Sequence, residues 1–203
     1  HTRRDKILKF EGGFHGMSSE GLMSLAPTRL ENFPLAVPDS AGIPDNVRDN
    51  VLVAPFNDSA AAAQIIGEYG DDIAAVIVEP LQRLLLPEPD FLETLRVMTQ
   101  ERGIILIFDE IVTGFRLAYG GAQERYGVTP DLCTLGKIVG GGFPLAVVAG
   151  KTELMAHFDK NLSTDTGFTF QNGTLSGNPI AAAAGLKTLE ILRRPGSYQR
   201  LRT

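Results

Sequence analysis

Apolar residues along this chain recur in two patterns. Short runs rich in β-branched residues (Val51-Leu52-Val53, Ile73 to Val78, Ile104 to Phe108 and Leu145 to Val148) alternate with stretches in which apolar positions return every three or four residues. The first pattern predicts strands, the second predicts amphipathic helices, and their alternation predicts parallel strands with crossover helices. Ile7 to Phe10 and Leu132 to Leu135 are weaker strand candidates. The strong runs are apolar at both alternating positions, as in strands covered on both sides. The fold class expected is therefore α/β, a mainly parallel sheet with helices on both faces.

Helix boundaries follow from side chains that satisfy free backbone groups. Asn57 or Asp58 predicts the start of a helix running to about Tyr69, with Gly70 as a left-handed stop. Asp90 with Glu93 resembles a capping box for a helix through Arg102 that ends at Gly103. Asn178-Pro179 starts a third, whose apolar face is Ile180, Ala183, Ala184, Leu186, Leu189 and Ile191, before Pro195 halts it. Gly12 to Asp49 is rich in Gly, Pro, Ser and Asp with little periodicity, which predicts a functional lid or a disordered stretch.

At 203 residues, with 43% hydrophobic and 21% charged, the chain is suited to one sizeable core, with two small domains as the alternative, and not to disorder. A net charge of -5 argues against nucleic acid as a partner, because neutralising phosphates needs a concentrated basic surface. The cationic ends (Arg3, Arg4, Lys6 and Lys9; Arg193, Arg194, Arg200 and Arg202) read as solvated surface. Cys133, the one cysteine, sits in an apolar run and reads as a buried hydrophobe in a reducing, cytoplasmic compartment. No apolar run reaches the roughly 18 residues of a membrane span, and the start lacks a signal core. The absent initiating Met and the abrupt Leu201-Arg202-Thr203 ending suggest a piece of something longer.

Ligands of open α/β sheets gather at the carboxyl ends of strands, which directs attention to Glu79, Asp109 and Lys137. A lysine amine condenses with an aldehyde to a Schiff base, and an aspartate keeps a pyridine nitrogen protonated; together they point to pyridoxal 5'-phosphate. If the strand continues, Asp109 and Ile111 share a face, one toward the ring nitrogen and the other against the ring plane. Two plainer readings stand beside this one: Asp109-Glu110 simply ends a strand, and Lys137 is a solvated charge. The glycines Gly140, Gly141 and Gly142 favour close backbone approach near the amine. An aliphatic run ending in Asp-Glu also resembles the magnesium-binding strand of P-loop hydrolases. That class needs G-x-x-x-x-G-K-[ST] upstream, whereas Gly136-Lys137 lies downstream and is followed by Ile138. No metal-binding set is assigned.

Phe14-His15-Gly16, Glu79-Pro80, Leu106 to Arg116, Gly120-Gly121-Ala122-Gln123-Glu124, Pro130-Asp131-Leu132 with Leu135-Gly136-Lys137, and Gly173 to Pro179 follow one another in an order and spacing that resembles the class III pyridoxal-phosphate aminotransferases from about Lys6 to Arg194. Within them the likeness is greatest to the glutamate-1-semialdehyde aminomutase branch, through Thr113-Gly114-Phe115-Arg116, Gly120 to Glu124 and Gly173 to Pro179. The resemblance implies the large-domain core of a fold-type I transferase and amino-group transfer on a small amino or oxo substrate. Lys137 would carry the Schiff base and move the proton, and Asp109 would pair with the pyridinium nitrogen. Ile111 and Phe14 would sandwich the ring; His15 would neighbour it or pack the loop, and Glu79 would support the substrate or the cofactor hydroxyl or serve a structural role at its strand end. Thr174 would reach the phosphate of a neighbouring subunit, which implies a homodimer.

Departures from the pattern leave the substrate open. Val112 stands where many ω-amino-acid transaminases have Gln, which favours the aminomutase branch. Gln82-Arg83-Leu84-Leu85-Leu86 replaces a small, glycine-containing stretch, and Leu145 to Gly150 is poorer in glycine than usual. By the same resemblance, residues 1–194 are most of a large domain without its N-terminal phosphate cup, and 195–203 begin a linker to a C-terminal domain. A non-catalytic scaffold fragment is the competing expectation.

Overall fold

The computed structural model describes residues 1–26, 31–162 and 167–201; Arg202 and positions 27–30 of the expected lid lie outside them. The chain forms two compact units, Thr2–Asp109 and Glu110–Thr203 with His1.

In the first unit, β1 (Lys6–Phe10), β2 (Val51–Ala54), β3 (Ile73–Val78) and β4 (Ile105–Asp109) are parallel in the order β2-β1-β3-β4. Its helices are α1 (Asp45–Arg48), α2 (Ser59–Tyr69) and α3 (Phe91–Glu101). Register fixes the faces: Leu8 pairs with Leu52 and with Val76, and Val76 pairs with Leu106. Leu8, Phe10, Val76, Val78, Leu106 and Phe108 are buried on the face that carries α2 and α3. There Phe10, Phe56 and Phe91 meet edge to face, with centroids 5.3–6.2 Å apart.

Across β1 and β2 the opposite face is covered by the irregular 12–49 segment. Met23 and Ala36 are buried with Val51 and Val53, and Ile7, Ile43 and Val47 pack against them. The expected lid is thus tied to the core along part of its length. Toward β4 the cover thins, since Ile105 and Ile107 are only half-buried.

The caps show which local readings hold. Asp58 accepts the Ala61 N–H at 2.8 Å, as expected of an N-cap. Gly70, however, is right-handed (φ -57°) and not a left-handed stop; glycine is needed because a Cβ would lie 2.5 Å from Ile66 O. Asp90 is left-handed (φ 65°) with no side-chain cap bond, so the expected capping box does not form. Gly103 does supply the left-handed stop (φ 61°) after α3.

Of the N-terminal cations Arg3 is exposed as expected, and the other three are held by backbone carbonyls. Arg4 donates to Ile73 O (3.2 Å) and Arg102 O (3.0 Å), and Lys6 Nζ to Asp49 O (2.6 Å). Lys9 is 1% exposed, with Nζ donating to the Gly21 and Met23 carbonyls of the covering segment. Burial lowers its pKa from 10.5 to about 8, against the attraction of Asp39 and Glu79. Because the unfolded chain keeps this proton to higher pH, folding stability rises between about pH 8 and 10.5 from this group. Replacing Lys9 with Met should remove that rise. Urea midpoints at pH 7.5 and 10 should show wild type gaining about 2 kcal/mol on the variant, at about 1.4 kcal/mol per pH unit; parallel pH profiles would contradict the assignment.

The second unit contains α4 (Gly121–Tyr126), β5 (Leu132–Leu135), β6 (Val147–Gly150), α5 (Thr152–Met155), α6 (Pro179–Leu192) and α7 (Ser197–Leu201). Strands β5 and β6 pair antiparallel, Leu132 opposite Gly150 and Leu135 opposite Val147. The last strand therefore begins two residues later than the apolar run suggests, because the chain must first return from the turn after β5. The α/β class and the mainly parallel sheet are as expected. Cys133 is free and buried, and burial pushes its thiol pKa up. Residues expected to begin a linker include α7, where Ser197 Oγ donates to Ile191 O (2.8 Å) and the Tyr198 hydroxyl to Phe115 O (3.0 Å).

Asn178 caps α6 as expected, accepting from Ile180 N (2.9 Å) and Ala181 N (3.1 Å). The buried side of the helix differs from the expected one: Ala181 and Gly185 are inside, and Ile180, Ala183, Leu186 and Ile191 are exposed. Close approach decides this, since a Cβ on Gly185 would lie 2.7 Å from Val139 O. Among the described residues, no helix is long and apolar enough to cross a membrane.

Candidate active site

Three strand ends of the first unit bring two candidate carboxylates and a histidine together. The loop after β1 carries Phe14 and His15, β3 is followed by Glu79, and β4 ends at Asp109. His15 Nδ1 lies 2.8 Å from Asp109 Oδ2, with the side chains only 5% and 7% exposed. A carboxylate oxygen only accepts, so Nδ1 carries the proton. Asp109 is thereby held against rotation in a setting where each charge is worth more than in water. Glu79 Oε1 accepts the Phe14 N–H at 2.5 Å. Burial pushes the Glu79 carboxyl above its ordinary range; Asp109 adds to the rise, and the Phe14 N–H, His15 and Arg83 oppose it. The Phe14 ring is 52% exposed and so presents a flat apolar face.

The stretch Gln82 to Leu86 clamps this loop. Gln82 Nε2 donates to Glu11 O (2.6 Å), Arg83 Nε to Gly12 O (2.7 Å) and Arg83 Nη2 to Leu25 O (3.1 Å). Paired backbone bonds between Gln82 and Leu85 (3.1 and 2.8 Å) close a turn in which Arg83 (φ 47°) and Leu84 (φ 68°) are both left-handed. Such a pair without glycine costs on the order of 1 kcal/mol or more per residue, and the Arg83 hydrogen bonds offset it.

Lys137, the candidate amine, belongs to the second unit. Lys137 opens a 3-10 turn, Lys137–Gly140, directly after β5 and Gly136, with φ 48° and an exposed side chain. Ile111 packs over Gly136, where a Cβ would lie 2.8 Å from its Cδ1. The strand geometry expected for Ile111 does not occur, because β4 stops at Asp109 and residues 111–116 are turn. Ile111 is positioned instead by Glu110 N, which donates to Thr134 O of β5 at 2.9 Å. The close backbone approach expected at the glycines is toward α6, since a Cβ on Gly141 would run into Thr188 Oγ1. Thr174 is exposed on the turn before α6, where Ser176 N donates to Gly173 O (2.9 Å).

Glu110, read from the sequence as a strand end, organises the turn. It is 1% exposed, and its carboxylate accepts from Ala122 N (2.5 Å), Thr113 Oγ1 (2.9 Å), Gln123 Nε2 (2.9 Å) and Gln123 N (3.4 Å). The available signal was Gly120-Gly121 ahead of Ala122-Gln123, a glycine pair that lets backbone donors approach one carboxylate.

The sequence profile described as aminotransferase class-III matches residues 1–203. The chain belongs to the class-III aminotransferase family. Among class-III relatives, glutamate-1-semialdehyde 2,1-aminomutase 2 of Brevibacillus brevis is 47% identical over 99% of this chain and 46% of its own length. The crystal structure of an omega-transaminase from Sphaerobacter thermophilus matches with a TM-score of 0.88 at 40% identity, covering 98% of this chain and 46% of that one. A transaminase solved with PLP bound matches at 0.86 and 29% identity, again over 98% and 46%. The chain thus spans about half the length of these class-III relatives.

Membership in the class-III aminotransferases implies pyridoxal phosphate. The residues present fit that group: a buried carboxylate held by His15 suits a protonated ring nitrogen, and an exposed amine on a glycine-flanked turn suits covalent attachment.

Proposed function

We propose that the protein containing this chain transfers an amino group on a small amino or oxo substrate with pyridoxal 5'-phosphate, Lys137 being the point of covalent attachment. The buried His15–Asp109 pair at 2.8 Å carries this reading, because it fixes an anion of the kind a pyridinium nitrogen requires. When bound, the cofactor supplies an electron sink for the carbon that loses its proton. Lys137 would take up and return that proton. Asp109 would hold the ring nitrogen, with His15 holding Asp109. Phe14 and Ile111 would bound the ring faces, and Glu79 fixes the loop that carries Phe14. Thr174, exposed ahead of α6, is suited to reach the cofactor phosphate of a second subunit in a homodimer.

The aminomutase reaction, in which the amine returns to the same molecule, is the reading supported by the Brevibacillus relative and by Val112. Transfer between two molecules, as in an omega-transaminase, is supported by the Sphaerobacter relative. The test is addition of pyridoxal phosphate, borohydride reduction and mass mapping. A visible absorbance band and a pyridoxyl mass on Lys137 are expected, with no label there after Lys137→Ala. Label on a different lysine in wild type would refute the assignment.

A further inference from the structure

The first unit's strand-end loops leave two buried polar atoms without hydrogen-bond partners, His15 Nε2 and Gln82 Oε1. Gln82 is 4% exposed and the His15 side chain 5%. The orientation of the Gln82 amide follows from its other end, since Nε2 must donate to Glu11 O and the carbonyl Oε1 is the atom left over. The opposite ring nitrogen of His15 faces Asp109.

Both unpartnered atoms lie beside Gly13, where a Cβ would stand 2.9 Å from His15 Nε2, 3.0 Å from Phe10 O and 3.2 Å from Gln82 Oε1. Gly13 has no positive φ, so the backbone does not demand glycine there. Its effect is to leave open the space beside both the imidazole nitrogen and the amide oxygen that a methyl would fill. Leaving such groups unpaired in the interior is unfavourable, and they are complementary once Nε2 carries a proton.

We propose that Gln82 is a positioning residue whose Oε1 accepts the Nε2–H of His15 across the Cβ-less side of Gly13, holding His15 with a proton on both ring nitrogens. The carboxylates facing this ring, Asp109 and Glu79, favour that charge, and the guanidinium of Arg83 on the Gln82 turn opposes it. The resulting chain runs from Glu11 O through Gln82 and His15 to Asp109, so three strand-end loops of one unit share one hydrogen-bond path. A charged His15 keeps Asp109 an oriented anion. That consequence for catalysis rests on the proposed function; the path itself does not.

The experiment is 15N NMR of the complete protein labelled at histidine, which this chain carries at three positions, with His15 assigned by His15→Asn. At neutral pH both His15 nitrogens should carry protons in wild type. In Gln82→Met the Nε2 resonance should move to that of an unprotonated nitrogen while Nδ1 stays. In the cofactor-loaded enzyme, kcat should fall about tenfold with KM within about twofold, the size of one lost hydrogen bond expressed only in the reaction. An Nε2 resonance that is unprotonated in wild type, or unchanged in folded Gln82→Met, overturns the proposal. If Gln82→Met does not fold, Gly13→Ala decides by the same resonance: it crowds both atoms with a methyl and keeps the amide in the sequence. A wild-type protein that takes no label at Lys137 would count against the cofactor reading alone, with the resonance still deciding the role of Gln82.

Discussion

Asp109→Asn is expected to leave borohydride labelling of Lys137 intact and to lower turnover about a thousandfold. The substitution keeps the shape of the side chain and an oxygen for His15, and removes the charge. Opposite charges about 4 Å apart at an effective dielectric of about 20 attract by roughly 4 kcal/mol, which is about a thousandfold in rate if it is felt mainly where the ring gains electrons. The arrangement around Asp109 supports that magnitude. The carboxylate is 7% exposed and held by His15 at 2.8 Å, so solvent neither screens it nor reorients it. The measurement is kcat and KM on the cofactor-loaded protein, with label stoichiometry from mass mapping. A large fall in kcat with labelling retained is expected, and near-native turnover would remove Asp109 from its role.

Much of this arrangement was legible in the sequence because it depends on short-range chemistry. Strand β3 starts and ends where the apolar run does, and Asn178 and Asp58 cap the helices they precede. Glu79 and Asp109 sit at strand ends because polar side chains there meet loops instead of helices. The misses share one cause, which is that a partner far away in sequence decided the outcome. Lys9 looked like one of several terminal cations, yet strand alternation places it under the 12–49 segment, whose carbonyls receive it. The exposed apolar residues of α6 were read as its inner face, whereas contact with the turn after β5 selects small residues at Ala181 and Gly185. Gln82 and Arg83 registered only as a departure from a family pattern. Their function is to hold the loop of Phe14 and His15, a contact across more than half of the first unit's sequence.

Glu110→Ala is expected to destabilise the protein by about 3 kcal/mol or more, far beyond what a neighbouring surface change would do. The carboxylate is 1% exposed and gathers two backbone N–H groups, a hydroxyl and a side-chain amide. Hydrogen bonds to a charged acceptor contribute about 1.5–3 kcal/mol each, and removing the acceptor leaves its buried donors unpaired. The same network makes a second substitution informative. Gly121 has φ 68° and its Cβ would run into Glu110 Oε2, so Gly121→Ala combines backbone strain with displacement of the carboxylate. Val112, on the same turn but 43% exposed, serves as the control, and Val112→Ala should cost less than about 0.5 kcal/mol. Denaturant unfolding of the three variants checks this ordering, and a Glu110→Ala variant as stable as Val112→Ala would show that the turn stands without its carboxylate. Because Glu110 N also bonds Thr134 O and so sets Ile111 beside Gly136, loosening this turn should weaken cofactor retention together with stability, although neither Glu110 nor Gly121 is assigned a contact with the cofactor.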